Sequence, residues 1–186
     1  HILTTETSAM TTNSTTSGLN AIGTLSIYLK PVGSDVSFCI FEEELNKITD
    51  KARAHLLRLA TDYPSTLSPN PITNYRVGSG GVAVTATGAE TQLFTEIPPS
   101  GSYDNTVLDR ELSSLDRLAI YTFELSPDEG NGKSISEVGL FADNYWLGSP
   151  SNGKMFNIKT FPPVAKSSTF SLSFVWRINF SGIYLP

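Results

Sequence analysis

Twelve consecutive residues, Thr169–Phe180, constrain this chain more than any other stretch. Phe170, Leu172, Phe174, Trp176, Ile178 and Phe180 are all large and apolar, whereas Thr169, Ser171, Ser173, Arg177 and Asn179 between them are small or polar. Only Val175 breaks the pattern. A period of two is that of a strand with one face on a core and the other toward water. A helix would scatter the six apolar groups around its circumference. Burying them contributes on the order of 10–15 kcal/mol before conformational entropy is subtracted. The Trp and three Phe predict a central strand rather than an edge. The feature speaks of architecture and not of chemistry.

The chain has 186 residues, enough for one substantial domain with an arm. Charged residues make up 17% and apolar residues 39%, with Ser, Thr, Asn and Gly filling the rest. That mix suits β structure with many turns. Net charge is −5 and no run of Lys or Arg occurs, so no nucleic-acid partner is expected. No segment approaches the roughly 20 apolar residues of a membrane span, so no membrane partner is expected either. No basic region followed by an apolar run opens the chain, which predicts no secretion signal, and His1 in place of Met reads as a processed or trimmed start. The one cysteine, Cys39, rules out a disulfide framework within the chain and reads as a small buried hydrophobe.

Along the chain, residues 1–24 are rich in Thr, Ser and Asn and read as an extended N-terminal arm, with a single β-rich domain over 25–186. Leu25–Leu29 and Val36–Phe41 are expected strands around the turn Pro31–Asp35. One helix is expected near 47–62. Its apolar stripe is Ile48, Ala52, Leu56, Leu59 and Tyr63, its cap Thr49 or Asn46, and its stop Pro64. Glu42–Glu44 read as the solvated approach to it. Further strands are expected at Ile72–Val77, Thr91–Ile97, Leu115–Leu125, Ser134–Ala142 and Lys154–Phe161. The order predicts a mainly β chain: a β-sandwich or jelly-roll-like body with one packed helix.

Candidates for chemistry are sparse. His1 and His55 are the only histidines, and His55 reads as structural, which leaves a serine triad or a His metal site without support. Asp104, Asp109, Glu111 and Asp116 could supply a glycosidase pair only if folding set two of them about 5–10 Å apart in a groove. Asp128–Gly132 has the oxygen-rich look of a cation turn but lacks further ligands of a calcium loop. Gly78-Ser-Gly-Gly81 lacks the Lys-Ser/Thr ending of a phosphate loop and reads as a tight turn. No catalytic residue, cofactor or metal is expected. The one candidate binding surface is Tyr145 and Trp146, aromatic residues on the turn-rich loop Asp143–Gly153.

The sequence order of Ile48–Arg58, Ile72–Gly81, Thr85–Ile97, Ile135–Phe141, Lys154–Lys166 and the final long strand resembles tailed-bacteriophage virion proteins of the tail, collar and fibre-base type. In that family a helix, a strand with Gly-x-Gly, and a strand reading Glu-Ile/Val-Gly-Leu-Phe recur in this order. The likeness covers roughly 46–181 and is strongest at Ser136–Phe141 and Phe161–Lys166. Gly139 within the second motif predicts a bulge or a close backbone approach, and Phe161-Pro-Pro163 predicts a strand end or an edge. The resemblance implies a non-enzymatic structural component of the virion, in the tail, baseplate, neck or fibre attachment. Its implied partners are itself, as a trimer or higher symmetric ring, and other virion proteins. The implied location is the phage particle after synthesis in the host cytoplasm. A receptor- or carbohydrate-binding module using Tyr145 and Trp146 is the alternative, and an enzyme cutting surface polysaccharide is the third reading. The arm 1–24 is expected to order only in an assembly.

Overall fold

The computed structural model describes residues 21–50, 52, 72–82, 86–99, 103–104, 106, 109–113, 118–142 and 154–179. Among these residues nine strands follow in chain order: β1 (Ile22–Pro31), β2 (Phe38–Leu45), β3 (Lys47–Ile48), β4 (Ile72–Gly78), β5 (Asp109–Ser113), β6 (Leu118–Leu125), β7 (Ser134–Ala142), β8 (Lys154–Ala165) and β9 (Phe170–Asn179). They form two antiparallel sheets, one ordered β2-β1-β9-β6-β5 and one ordered β3-β8-β7-β4. The chain is mainly β.

The alternating strand takes the expected place. β9 lies in the middle of the five-stranded sheet, paired with β1 along one side and β6 along the other. Leu172, Phe174, Trp176 and Ile178 are buried together with Leu25, Ile27, Phe123 and Leu125 from the flanking strands. The same core cluster takes Tyr75, Val77, Val138, Leu140 and Phe161 from the other sheet. Aromatic rings run between the sheets: Tyr75 stacks on Phe123 at 4.0 Å, Phe123 on Phe174 at 4.9 Å, and Phe161 lies tilted 6.4 Å from Phe174. Such pairs add about 0.5–1.5 kcal/mol each beyond their buried area. The Tyr75 hydroxyl donates to the carbonyl of Glu124 at 3.1 Å, which gives the buried phenol its partner.

Trp176 is likewise satisfied. In the orientation that suits both ends of its amide, Asn46 accepts from Trp176 Nε1 and from Thr24 N. Asn46 therefore fastens the end of β2 to the sheet centre instead of capping a helix.

Several expectations are corrected. The single packed helix near 47–62 is not supported. Lys47 and Ile48 pair with Ile158 and Asn157 as β3, because the exposed side of β8 offers them a ladder. Asp50 and Ala52 are helical, and Thr49 Oγ1 accepts from Ala52 N at 3.1 Å as a cap does, while residues 53–62 lie outside the described residues. Among the described residues the only other helix is the 3-10 turn Gly80–Val82. Glu42–Glu44 belong to β2 rather than to a helix approach. Cys39 is exposed, because β2 is an outer strand of its sheet with no layer over it among the described residues. Thr91–Ile97 is no strand: it touches the sheet through one bridge, Glu96 to Gly78, and otherwise runs as bends. β5 was not legible, as its charged residues follow an edge rather than a core.

The prolines obey their chemistry. β8 runs on through Pro162 and Pro163, but the register against β7 slips between Ile135 and Glu137, where the prolines stand exposed on a bulge. β3 covers β8 only at Asn157 and Ile158, so the prolines occupy an edge. β1 begins at Ile22, inside the tract read from sequence as arm, whose residues 1–20 lie outside the described residues.

Candidate functional site

Two stretches distant in sequence, Gly78–Gly81 and Ser136–Phe141, meet on one face of the four-stranded sheet. β7 supplies Glu137, which is fully buried. Its Oε1 accepts from Gly80 N at 2.9 Å and Thr95 N at 2.7 Å, and its Oε2 from Phe94 N at 2.8 Å. Next to it, Ser136 Oγ accepts from Gly81 N at 3.0 Å. Four part-buried backbone N–H groups are thus satisfied by two side chains of one strand.

The glycines are required by this closeness. A Cβ at Gly80 would lie 2.6 Å from Phe94 Cβ and 2.7 Å from Thr95 N, and one at Gly81 would strike the Ser136 carbonyl. At Gly139, a Cβ would meet Asn157 O at 3.0 Å and Leu93 Cδ2 at 3.3 Å, the close approach expected from its place in the strand. Gly78-Ser-Gly-Gly81 is therefore neither a phosphate loop nor a plain turn. It is the seat on which the Glu137 carboxylate lies.

Around this bond set a second apolar cluster forms from Ala86, Leu93, Phe141, Met155 and Ile158, with Phe94 at its margin. β7 is consequently buried on both faces from Ile135 to Ala142. Arg76 lies over the Phe141 ring, 4.4 Å from its centroid, and its Nη1 reaches Glu96 Oε2 at 3.1 Å. The Nε of Arg76 and the Nδ2 of Asn157 are buried without a hydrogen-bond partner. Tyr103 closes the other end. Its hydroxyl accepts from Val77 N at 3.2 Å and donates to Ile97 O at 3.1 Å. Burial pushes its phenol up to about 12, and burial also raises Tyr75, next to the nearby Glu129 carboxylate.

Chemically, this is an acceptor enclosed by its donors. Both Glu137 oxygens face backbone N–H groups and neither faces solvent, so the arrangement holds a loop to a sheet.

Tyr145 and Trp146 lie outside the described residues, as do His1, His55 and Asp116. Asp104, Asp109 and Glu111 are exposed. Glu129 accepts from Ser126 N at 2.8 Å and from Asp104 N, and Asn131 donates to Pro127 O at 2.8 Å, so that turn closes on itself. Among the described residues no group of three or more His, Cys, Asp or Glu could hold a metal ion. Sequence reasoning missed Glu137 as a centre. The signal was available: a lone carboxylate inside an apolar strand needs donors, and a glycine-rich turn supplies bare N–H groups.

Comparison with known proteins gave no matching family model, no matching curated protein and no matching solved structure.

Proposed function

We propose that this chain is a non-enzymatic structural component of a tailed-bacteriophage particle, in the tail, baseplate, neck or fibre attachment. On this reading its two sheets pack as a β-sandwich, and it assembles as a symmetric homo-oligomer, a trimer or a larger ring, beside other virion proteins. The observation that supports it is the junction of Gly78–Gly81 with Ser136–Phe141 through Glu137. Two of the six segments on which the resemblance draws, distant in sequence, are physically one unit. The buried polar side chains of that unit are all engaged in holding backbone, as suits a part whose task is to keep a shape.

Antibodies raised against the chain test the reading on purified particles of the phage that encodes it. The chain is expected in the particle, and decoration at the tail or neck is expected in electron micrographs. Particles free of the chain would sink the proposal. Native mass spectrometry of the purified protein is expected to give a trimer or a higher ring, and a strict monomer at all concentrations would remove the homo-oligomer.

A further inference from the structure

The turn between β6 and β7 carries a pair of residues with chemistry of its own. Asn131 is followed by Gly132, and both are exposed. In an Asn-Gly pair the backbone nitrogen of the glycine can attack the asparagine side-chain carbon, because no Cβ hinders its approach. The N–Cγ bond forms, the Cγ–Nδ2 bond breaks, and ammonia leaves with the proton of the attacking N–H. Water then opens the cyclic imide at either carbonyl. Opening at the side-chain carbonyl gives aspartate. Opening at the main-chain carbonyl gives isoaspartate, whose main chain runs through the former side chain and is longer by a carbon.

Solvent reaches this pair, yet the fold occupies both reacting groups. Gly132 N donates to Lys166 O at 3.0 Å, and Lys166 N donates to Lys133 O at 2.9 Å. These bonds carry the β7–β8 ladder a step past Ser134 and Ala165, so the nucleophile is a rung of a sheet. The amide is held as well. Its Nδ2 donates to Pro127 O at 2.8 Å, and its Oδ1 accepts from Lys166 Nζ at 3.4 Å. That lysine is itself fixed. It is only 2% exposed, donates to Ser167 O at 2.9 Å and lies over the Phe170 ring. Attack therefore needs the rung broken and the amide released, which is a local opening of the turn.

We propose that Asn131 is a site of spontaneous imide formation that the native turn holds shut, and that it reacts when the end of the β7–β8 ladder opens. The isoaspartate product makes the opening one-way. Its longer main chain does not fit the turn in which Gly132 N meets Lys166 O while Lys133 N meets Gly130 O at 3.1 Å. Aspartate keeps the main-chain length and still offers Lys166 an oxygen where Asn131 Oδ1 stood. The proposal does not rest on the particle reading.

The test incubates the full chain in mildly alkaline buffer, native and in guanidinium chloride, and follows conversion by peptide mapping. Trypsin places Asn131 in Leu118–Lys133 and the other Asn-Gly pair, Asn152-Gly153, in a separate peptide. Conversion at Asn131 is expected to be at least about tenfold slower in the native chain than in the unfolded one. Lys166→Met removes the amine but keeps an apolar stem and the carbonyl, and is expected to speed native conversion by about threefold or more. Should that variant misfold, guanidinium below the unfolding transition is expected to speed conversion in the unaltered chain in step with hydrogen exchange at Gly132. Equal rates in native and unfolded chains, a rate untouched in folded Lys166→Met, or a rate that ignores Gly132 exchange would overturn the proposal. Converted chains are then separated by chromatography. The isoaspartate form is expected to exchange fast at Gly132 and the aspartate form slowly, and native protection in the isoaspartate form would overturn the one-way step.

Discussion

β2 and β7 begin from similar material. Phe38-Cys-Ile-Phe41 and Val138-Gly-Leu-Phe141 are both short apolar runs next to glutamate. In β7 the run is buried on both faces, the inner one against the other sheet and the outer one beneath Leu93 and Phe94. In β2 Phe38, Cys39 and Ile40 are exposed, and only Phe41 reaches the core margin. An apolar run does not state its own burial. Position in the sheet states it: among the described residues β7 has neighbours on both sides and a loop laid across it, and β2 has one neighbour and no cover. The glutamates differ in the same way. Glu137 is enclosed by donors, and Glu42 stands in water.

The contrast can be broken most forcefully at Glu137. Glu137→Ala leaves the part-buried N–H groups of Gly80, Phe94 and Thr95 without an acceptor, at the lower part of about 1–3 kcal/mol each, so a loss of about 3–5 kcal/mol is expected in urea unfolding. A loss below about 1 kcal/mol would mean that water replaces the carboxylate freely and that the cover is loose. Next in size, Leu140→Ala in β7 is expected to cost about 2–4 kcal/mol as a core cavity.

A smaller effect is expected from alkali. The phenol of Tyr103, ordinarily at 10.0, is raised to about 12 by burial, so the folded state holds its proton more tightly than the unfolded chain. That contribution to stability is whole below pH 10 and disappears as pH rises through about 12. Tyr103→Phe is expected to flatten the loss over that window, and an unchanged alkaline profile would remove Tyr103 from the account. Smallest of all, Leu45→Ser on β2 is expected to shift stability by less than about 0.5 kcal/mol, since a side chain 67% exposed has little burial to lose. A large shift there would show that β2 is covered after all.

What the residues disclose in advance follows from the same contrast. β9 was legible because one face is core and the other is not, which writes a period of two into the sequence. β4 and β7 were legible as strands, and the role of Gly139 as a close approach followed from a glycine inside an apolar run. The exposure of Cys39 was not legible, since a run bare at an edge and a run buried in a core have one composition. Thr91–Ile97 looked like a strand because its apolar residues do pack, on the outside of a sheet rather than within one. The Glu137 centre escaped because its donors come from 42, 43 and 57 residues away, and local pattern has no view of such distances. β3 took the start of an expected helix because a two-residue pairing with β8 leaves no periodicity to read.

The central place of β9 has a consequence for how the molecule is made. β9 is the last strand of the nine to leave the ribosome, and it separates the β1–β2 hairpin from the β5–β6 hairpin. Until it arrives, the two earliest strands have no neighbour through which to join the rest of their sheet. They must wait through the synthesis of more than a hundred residues, apolar and unjoined, so the nascent chain is the form of this protein most in need of a chaperone.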